Sequence, residues 1–307
     1  MRPIWIIAAA LLLSAPQDGR GVAHAANASD KKAVPGKKEV RSPPPPMVFF
    51  VAKGAPDSCG SGCGEWIAAD GTIDRATPGR LRALLGRLGK RKLPIYFHSP
   101  GGSVDAALEL GRMMRARDMQ AGVARTIPQG CDPAQIREAA CDTLKRSGRE
   151  LGAALREMNA SCNSACVYAF LGAKVRTVPP GAGLGVHSIS ILRTMIRRNH
   201  EGRVLAISST RITGNGPDIR SAHGGVARYA AEMGIGRALI DAAAAVPHET
   251  IRYLTRGEIA RFGIDPREVV ESQNRGAGKA DATAAVRRDA VSAGLRPQRF
   301  HQCRVGP

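Results

Sequence analysis

The chain has 307 residues, 43% of them hydrophobic but only 4% aromatic, and its 45 Lys and Arg against 26 Asp and Glu give a formal charge of +19. That length holds one large domain plus tails, with a core drawn mainly from Ala, Leu, Val and Ile. The basic residues are scattered along the chain and through both tails rather than gathered on one face with interleaved aromatics, which excludes a nucleic-acid partner and leaves solvated faces or a peripheral contact with an anionic envelope surface.

The first residues point to export. Arg2 precedes an apolar run over residues 4–13, too short to span a bilayer, and Ala23-His24-Ala25 puts small residues where a signal peptidase reads. Residues 1–25 are expected to be a signal peptide cleaved after Ala25, and the protein periplasmic or secreted; an uncleaved anchor is the rival reading. Residues 26–46, Lys-rich and ending in four prolines, read as a disordered tether. An ordered domain is expected over 47–272 and a basic flexible tail over 273–307.

Within the domain, 47–51 and 66–71 read as strands. Thr77-Pro78 signals a helix start, and Leu81, Leu84, Leu85 and Leu88 mark one face of that helix. A strand over 94–99 runs into Pro100-Gly101-Gly102, and a helix follows from Ser103 with Val104, Ala107, Leu108, Gly111 and Met114 inward. Strand, glycine turn and helix repeat as in an α/β fold with a parallel sheet. Residues 127–159 read as an insertion, helical over 136–158. The segment 165–171 is apolar on every side, as a buried helix is. Strands are expected over 174–178 and 184–187 around the turn Pro179-Pro180-Gly181. Helices follow over 218–245, broken near Gly234 and Gly236. A last helix over 255–262 has Thr255 as N-cap and Glu258 at the capping-box position.

All seven cysteines lie beyond the leader. In an oxidising compartment Cys59/Cys63, Cys131/Cys141 and Cys162/Cys166 suggest up to three bridges, with Cys303 among the candidates for a leftover thiol; spacing leaves the connectivity open. Cys59-Gly60-Ser61-Gly62-Cys63 loosely resembles a ligand knuckle but has no second pair at zinc-like spacing, so no metal or cofactor is expected.

Three local signals carry chemistry. Ser99-Pro100-Gly101-Gly102-Ser103 presents bare amides beside a helix start, suited to a developing oxyanion. Ser164, within Ala160-Ser161-Cys162-Asn163-Ser164-Ala165-Cys166, sits at the entry to a buried helix, where the following amide can join an oxyanion hole. His187 ends an apolar strand, Gly183-Leu184-Gly185-Val186-His187-Ser188. Taken singly, each is as readily a turn, an N-cap or a structural histidine.

The succession SPGGSVDAALELGRMMR, CNSACVYAFLGAKVRTVPPGAGLGVHS and YLTRGEIARFGID resembles the ClpP/crotonase superfamily. It is nearest the Clp-protease branch, and within it the exported bacterial members with a Cys-x-Ser-Ala-Cys motif. The resemblance implies a repeated ββα superhelix, here with the helical insertion. It also implies Ser164 as nucleophile, His187 as general base, the amides of Gly102 and Ala165 as oxyanion donors, a peptide or protein substrate and a homo-oligomer. The sequence departs at the third member: Ile251 stands where the family has Asp. Glu249 is the nearest carboxylate and the candidate for orienting His187, with Asp241 behind it. A site without that carboxylate is a slow dyad or an inactive one. Two functions are therefore in view, an exported serine hydrolase (a peptidase or a related acyl hydrolase) and a catalytically inactive binding or assembly module in the cell envelope. Crotonase-type thioester chemistry ranks below both, for want of a nucleotide-binding signature.

Overall fold

The computed structural model describes residues 45–134 and 138–265. The expected signal peptide, nearly all of the tether, the tail and Cys303 lie outside the described residues.

Strands β1 (Val48–Lys53) and β2 (Glu65–Asp70) form an antiparallel pair, Phe50 opposite Ala68, and the loop between them is closed by a Cys59–Cys63 disulfide. Pro45 is already fixed, its carbonyl accepting from Thr72 N–H at 2.8 Å. Helix α1 (Thr77–Leu88) buries Leu81, Leu84, Leu85 and Leu88 as the spacing demands. Thr77 is its first helical residue rather than its cap: the hydroxyl donates back to the Asp74 carboxylate at 2.9 Å, and Arg80 closes on the same oxygen.

Strand β3 (Ile95–His98), helix α2 (Val104–Ala116) and strand β4 (Gln120–Val123) complete the alternation, with Ser103 capping α2 through the Ala106 N–H. Beyond them come β5 (Arg125–Pro128), the short α3 (Ala139–Lys145) and β6 (Leu151–Arg156). This corrects the helical reading of 136–158. Only α3 is helical in the described part, and β6 joins the central sheet beside β1. Leu151 and Ala153 alternate inward with a period of two, a signal hidden by the polar residues around it. A Cys131–Cys141 disulfide ties α3 to the end of β5.

Next are β7 (Ala160–Asn163), α4 (Ala165–Leu171), β8 (Val175–Thr177) and β9 (Ala182–Val186). An exposed ribbon follows, β10 (Ile191–Arg198) with β11 (Val204–Ile212), a segment to which the sequence reading gave no element. Helices α5 (Pro217–Glu232) and α6 (Ala238–Ala244) flank the expected break; strand β12 (Arg252–Tyr253) and helix α7 (Arg256–Arg261) end the described chain. The capping box of α7 forms as read, Thr255 and Glu258 each bonding the other's backbone N–H.

The fold is mixed α/β. Its main sheet runs β5-β6-β1-β2-β3-β4-β8, with β2, β3, β4 and β8 parallel, and a second sheet runs β12-β9-β7. Both faces of the main sheet are covered, one by α1, α2 and α4 over Ile67, Phe97 and Val123, the other by a smaller cluster around Phe50, Trp66 and Leu151. Burial on both faces explains the unbroken apolar run of β1 and β2. Helix α4 is sealed between layers, every residue of it buried, as its all-round apolarity requires.

Candidate active site

Parallel register assembles the site. Strand β9 pairs with β7 so that Asn163 lies opposite Gly185, and β7 in turn meets the end of β3, where Ser99 accepts from Asn163 N–H and donates to Ser161 carbonyl, both at 2.9 Å. The C-terminal ends of β3, β7 and β9 therefore stand side by side. Each ends in one of the three motifs: the glycine turn after β3, Ser164 after β7, His187 after β9. Residues far apart in sequence meet because parallel pairing sets the carboxyl ends of these strands on one side, the side where open α/β sheets bind ligands.

Ser164 links β7 to α4 with φ at 55° and ψ at −127°, left-handed space that a side-chain-bearing residue enters only at some energetic cost. Its N–H donates to Gly185 carbonyl at 2.7 Å, and its carbonyl accepts from Val167 N–H at 3.0 Å. The disulfide between Cys162 and Cys166, both wholly buried, brackets the serine. The glycine turn is pressed against this elbow. A Cβ at Gly101 would fall 2.6 Å from Asn163 carbonyl oxygen and 2.7 Å from Ser164 Cβ, and one at Gly102 would fall 2.1 Å from Ile73 carbonyl oxygen. Their φ angles, 99° and 139°, exclude side chains as firmly as the space does.

The amides differ in use. Gly101 N–H donates to Ser99 Oγ at 3.1 Å, whereas Gly102 N–H donates to no atom among the described residues. Ala165 opens α4, so its N–H has no intrahelical acceptor. Gly102 and Ala165 thus each present a backbone N–H with no acceptor among the described residues.

His187 is half-buried one residue past β9, and its Nδ1 is enclosed without a hydrogen-bond partner. Burial first, then the neighbouring His248 ring, push its pKa below the ordinary 6.5, while the Ser188 backbone and Glu249 pull weakly the other way. No hydrogen bond joins its ring to the Ser164 hydroxyl among the described residues. Nor does Glu249 take the orienting position assigned to it from sequence. It is exposed and acts on His187 only through space, because the loop of residues 247–250 directs His248 inward instead. Asp241, the other carboxylate considered, pairs with Arg237 on the surface of α6.

His248 is the residue that sequence reading missed. Its ring lies 4.6 Å from that of His187, tilted by 54°. Nδ1 is 3.0 Å from Ser188 carbonyl, which can only accept, so Nδ1 carries the proton; Nε2 then accepts from Ser190 Oγ at 3.1 Å and Arg211 Nη1 at 3.3 Å. In sequence, the Pro247-His248-Glu249 stretch stands out only for its acid. Beside the elbow lies a cavity of about 400 Å³ whose lining includes Asp70, His98, Pro100, Lys145, Ser161 and Asn163.

No family model matches the sequence, and no curated protein does. Among solved structures, the chain is similar to a mutant of the 1510-N membrane-bound stomatin-specific protease, with a TM-score of 0.39 and 15% identity over 67% of this chain and 82% of that one. It is similar also to a second mutant of that protease in complex with a substrate peptide, with a TM-score of 0.38 and 15% identity over 67% and 78% of the two chains. A third is ClpP1 from Listeria monocytogenes, with a TM-score of 0.36 and 13% identity over 64% and 85%.

Proposed function

We propose that the protein is an exported serine peptidase in which Ser164 attacks the scissile carbonyl, His187 takes and returns the proton, and the amides of Gly102 and Ala165 hold the oxyanion. The observation that carries this reading is the strained strand-to-helix turn at Ser164, with two unused amides around it. Strain of this kind persists only where surrounding structure enforces it, and here a disulfide and a pressed glycine turn do so.

The chemistry follows from the parts. A serine hydroxyl is inert near neutrality until a base accepts its proton, and a histidine with a lowered pKa is neutral, and therefore able to accept, over a wider range of acid pH. Attack forms the Ser164 Oγ–carbon bond and moves the proton to His187. Collapse expels the amine, which leaves with that proton, and water then releases the acyl group by the same steps. The oxyanion donors are each worth about 10²–10³ in rate. With no carboxylate on Nδ1, the site works as a dyad. A homo-oligomeric assembly and a peptide or protein substrate belong to the same proposal, on the strength of the sequence resemblance; the three disulfides fit an oxidising compartment.

A fluorophosphonate probe tests the reading. Labelling of the folded protein, abolished by Ser164→Ala and cut about 10²–10⁴-fold by His187→Gln, supports it. The empty Nδ1 of His187 gives one observation in favour of the second reading, a silent binding or assembly module. Absence of labelling at every pH tried, in protein that melts cooperatively, would decide for that module.

A further inference from the structure

The β10–β11 ribbon has no role in the chemistry above, yet it is the most unusual surface of the molecule. Its strands pair with each other and with no other strand among the described residues, and nearly every side chain along them is exposed. It carries Leu192, Met195, Ile196, Val204, Leu205 and Ile207, each between 43% and 67% exposed, the majority of the large exposed apolar residues of the described chain. Register places them on both faces, Ile196 opposite Ile207 on one and Met195 opposite Ser208 on the other. Water alone is a poor neighbour for such a surface.

Charge identifies the neighbour. At the root, Arg193 pairs with Asp218 at 2.9 Å, and Arg211 donates to Ser190 Oγ at 2.7 Å, so the ribbon is anchored beside His248 and the candidate site. The outer half carries Arg197, Arg198 and Arg203 against the single acid Glu201. Arg198 closes the turn onto Gly202 carbonyl and keeps its charge exposed. Two copies meeting tip to tip would set the same arginines against each other, like charges in a drying interface. An anionic bilayer meets both needs, with phosphates for the guanidinium groups and the acyl boundary for the apolar side chains between them.

We propose that the β10–β11 ribbon docks the protein on an anionic lipid surface. The ribbon lies at headgroup depth rather than in the hydrocarbon core, since both its outer edges carry unpaired backbone groups. Arginine stems reach past the apolar side chains to the phosphates. The inference rests on neither the catalytic reading nor export.

The test uses the full chain with vesicles of phosphatidylcholine, with or without phosphatidylglycerol, in a co-sedimentation assay. The expected result is binding that needs the anionic lipid, falls about fivefold for each of Arg197→Gln and Arg203→Gln, and falls again in the Leu205→Ser/Ile207→Ser variant. An Ile196→Trp reporter, whose emission shifts to the blue with anionic vesicles, reads the ribbon directly if a serine variant folds poorly. Absence of binding, or binding that none of these variants weakens, overturns the proposal, because other basic segments would then carry it. A dimer in light scattering that the serine variant splits, with the reporter unchanged by vesicles, gives the surface to a second copy. Displacement by soluble polyglutamate, with the serine variant binding like the parent, reduces it to charge alone and also overturns it.

Discussion

Ser164 occupies backbone space that favours glycine, and this makes its replacement informative in two directions. Ser164→Gly relieves a strain of about 1–3 kcal/mol and removes the hydroxyl, so thermal unfolding should rise while probe labelling vanishes. A lowered melting temperature would contradict strain at this position. Gly101→Ala is the converse: a Cβ 2.6 Å from a backbone oxygen, at a φ of 99°, should destabilise the fold by at least about 1–3 kcal/mol and slow labelling together. For His187, burial and the His248 ring depress the pKa, so the acid limb of the labelling-rate profile should have its midpoint below 6.5. The linked stability has the matching sign. It is present above the unfolded histidine value, and it falls as pH drops through the folded one, because the unfolded chain binds the proton more readily. An acid limb centred above 6.5 would remove His187 as the base.

The elements at the site are short, and what holds them is covalent or tertiary. Strand β7 has four residues and α4 seven, too few to be stable alone, yet a disulfide joins them across the serine. The bridge closes a loop too small to constrain the unfolded chain greatly, so its effect should be local. Cys162→Ala/Cys166→Ala is expected to keep most of the melting temperature and lose much of the labelling rate; equal loss of both would assign the bridge to global stability. The pairing was open from spacing alone, and the strand-to-helix geometry, with Cα atoms 5.2 Å apart, selected it. The elements that were legible are those with a local signature: the leucine stripe of α1, the glycine turn and helix start at Ser103 before α2, the capping box of α7. The ribbon was not legible. Its strands mix apolar residues with Arg, Ser and Thr on both faces, so no alternation of inside and outside marks them.

Across the whole molecule, cations outnumber acids, and the structure finds other acceptors for them. Arg176 donates to the carbonyls of Leu171, Ala173, Gly263 and Ile264, and Arg115 to those of Leu171 and Met233. Arg256 reaches the carbonyls of Val178, Pro179 and Ala182, fastening α7 to the turn between β8 and β9. The expectation of solvated basic faces thus holds only in part, because a guanidinium fork satisfies several backbone carbonyls at once where an ammonium has no such planar array. Arg256→Lys should therefore restore little of what Arg256→Ala loses, about 1.5–3 kcal/mol by denaturant unfolding, and full recovery by lysine would sink that account. Among the described residues no helix is long and apolar enough to cross a membrane.

Sequence alone determined the alternation of strands and helices, the buried character of α4 and the three motifs, because each is written in local periodicity, caps or glycine turns. Only the tertiary structure decided that the motifs meet, that His248 rather than Glu249 turns toward His187, and that β6 completes the sheet. Those outcomes depend on parallel register between segments distant in the chain and on which side of a loop faces inward, neither of which local sequence encodes.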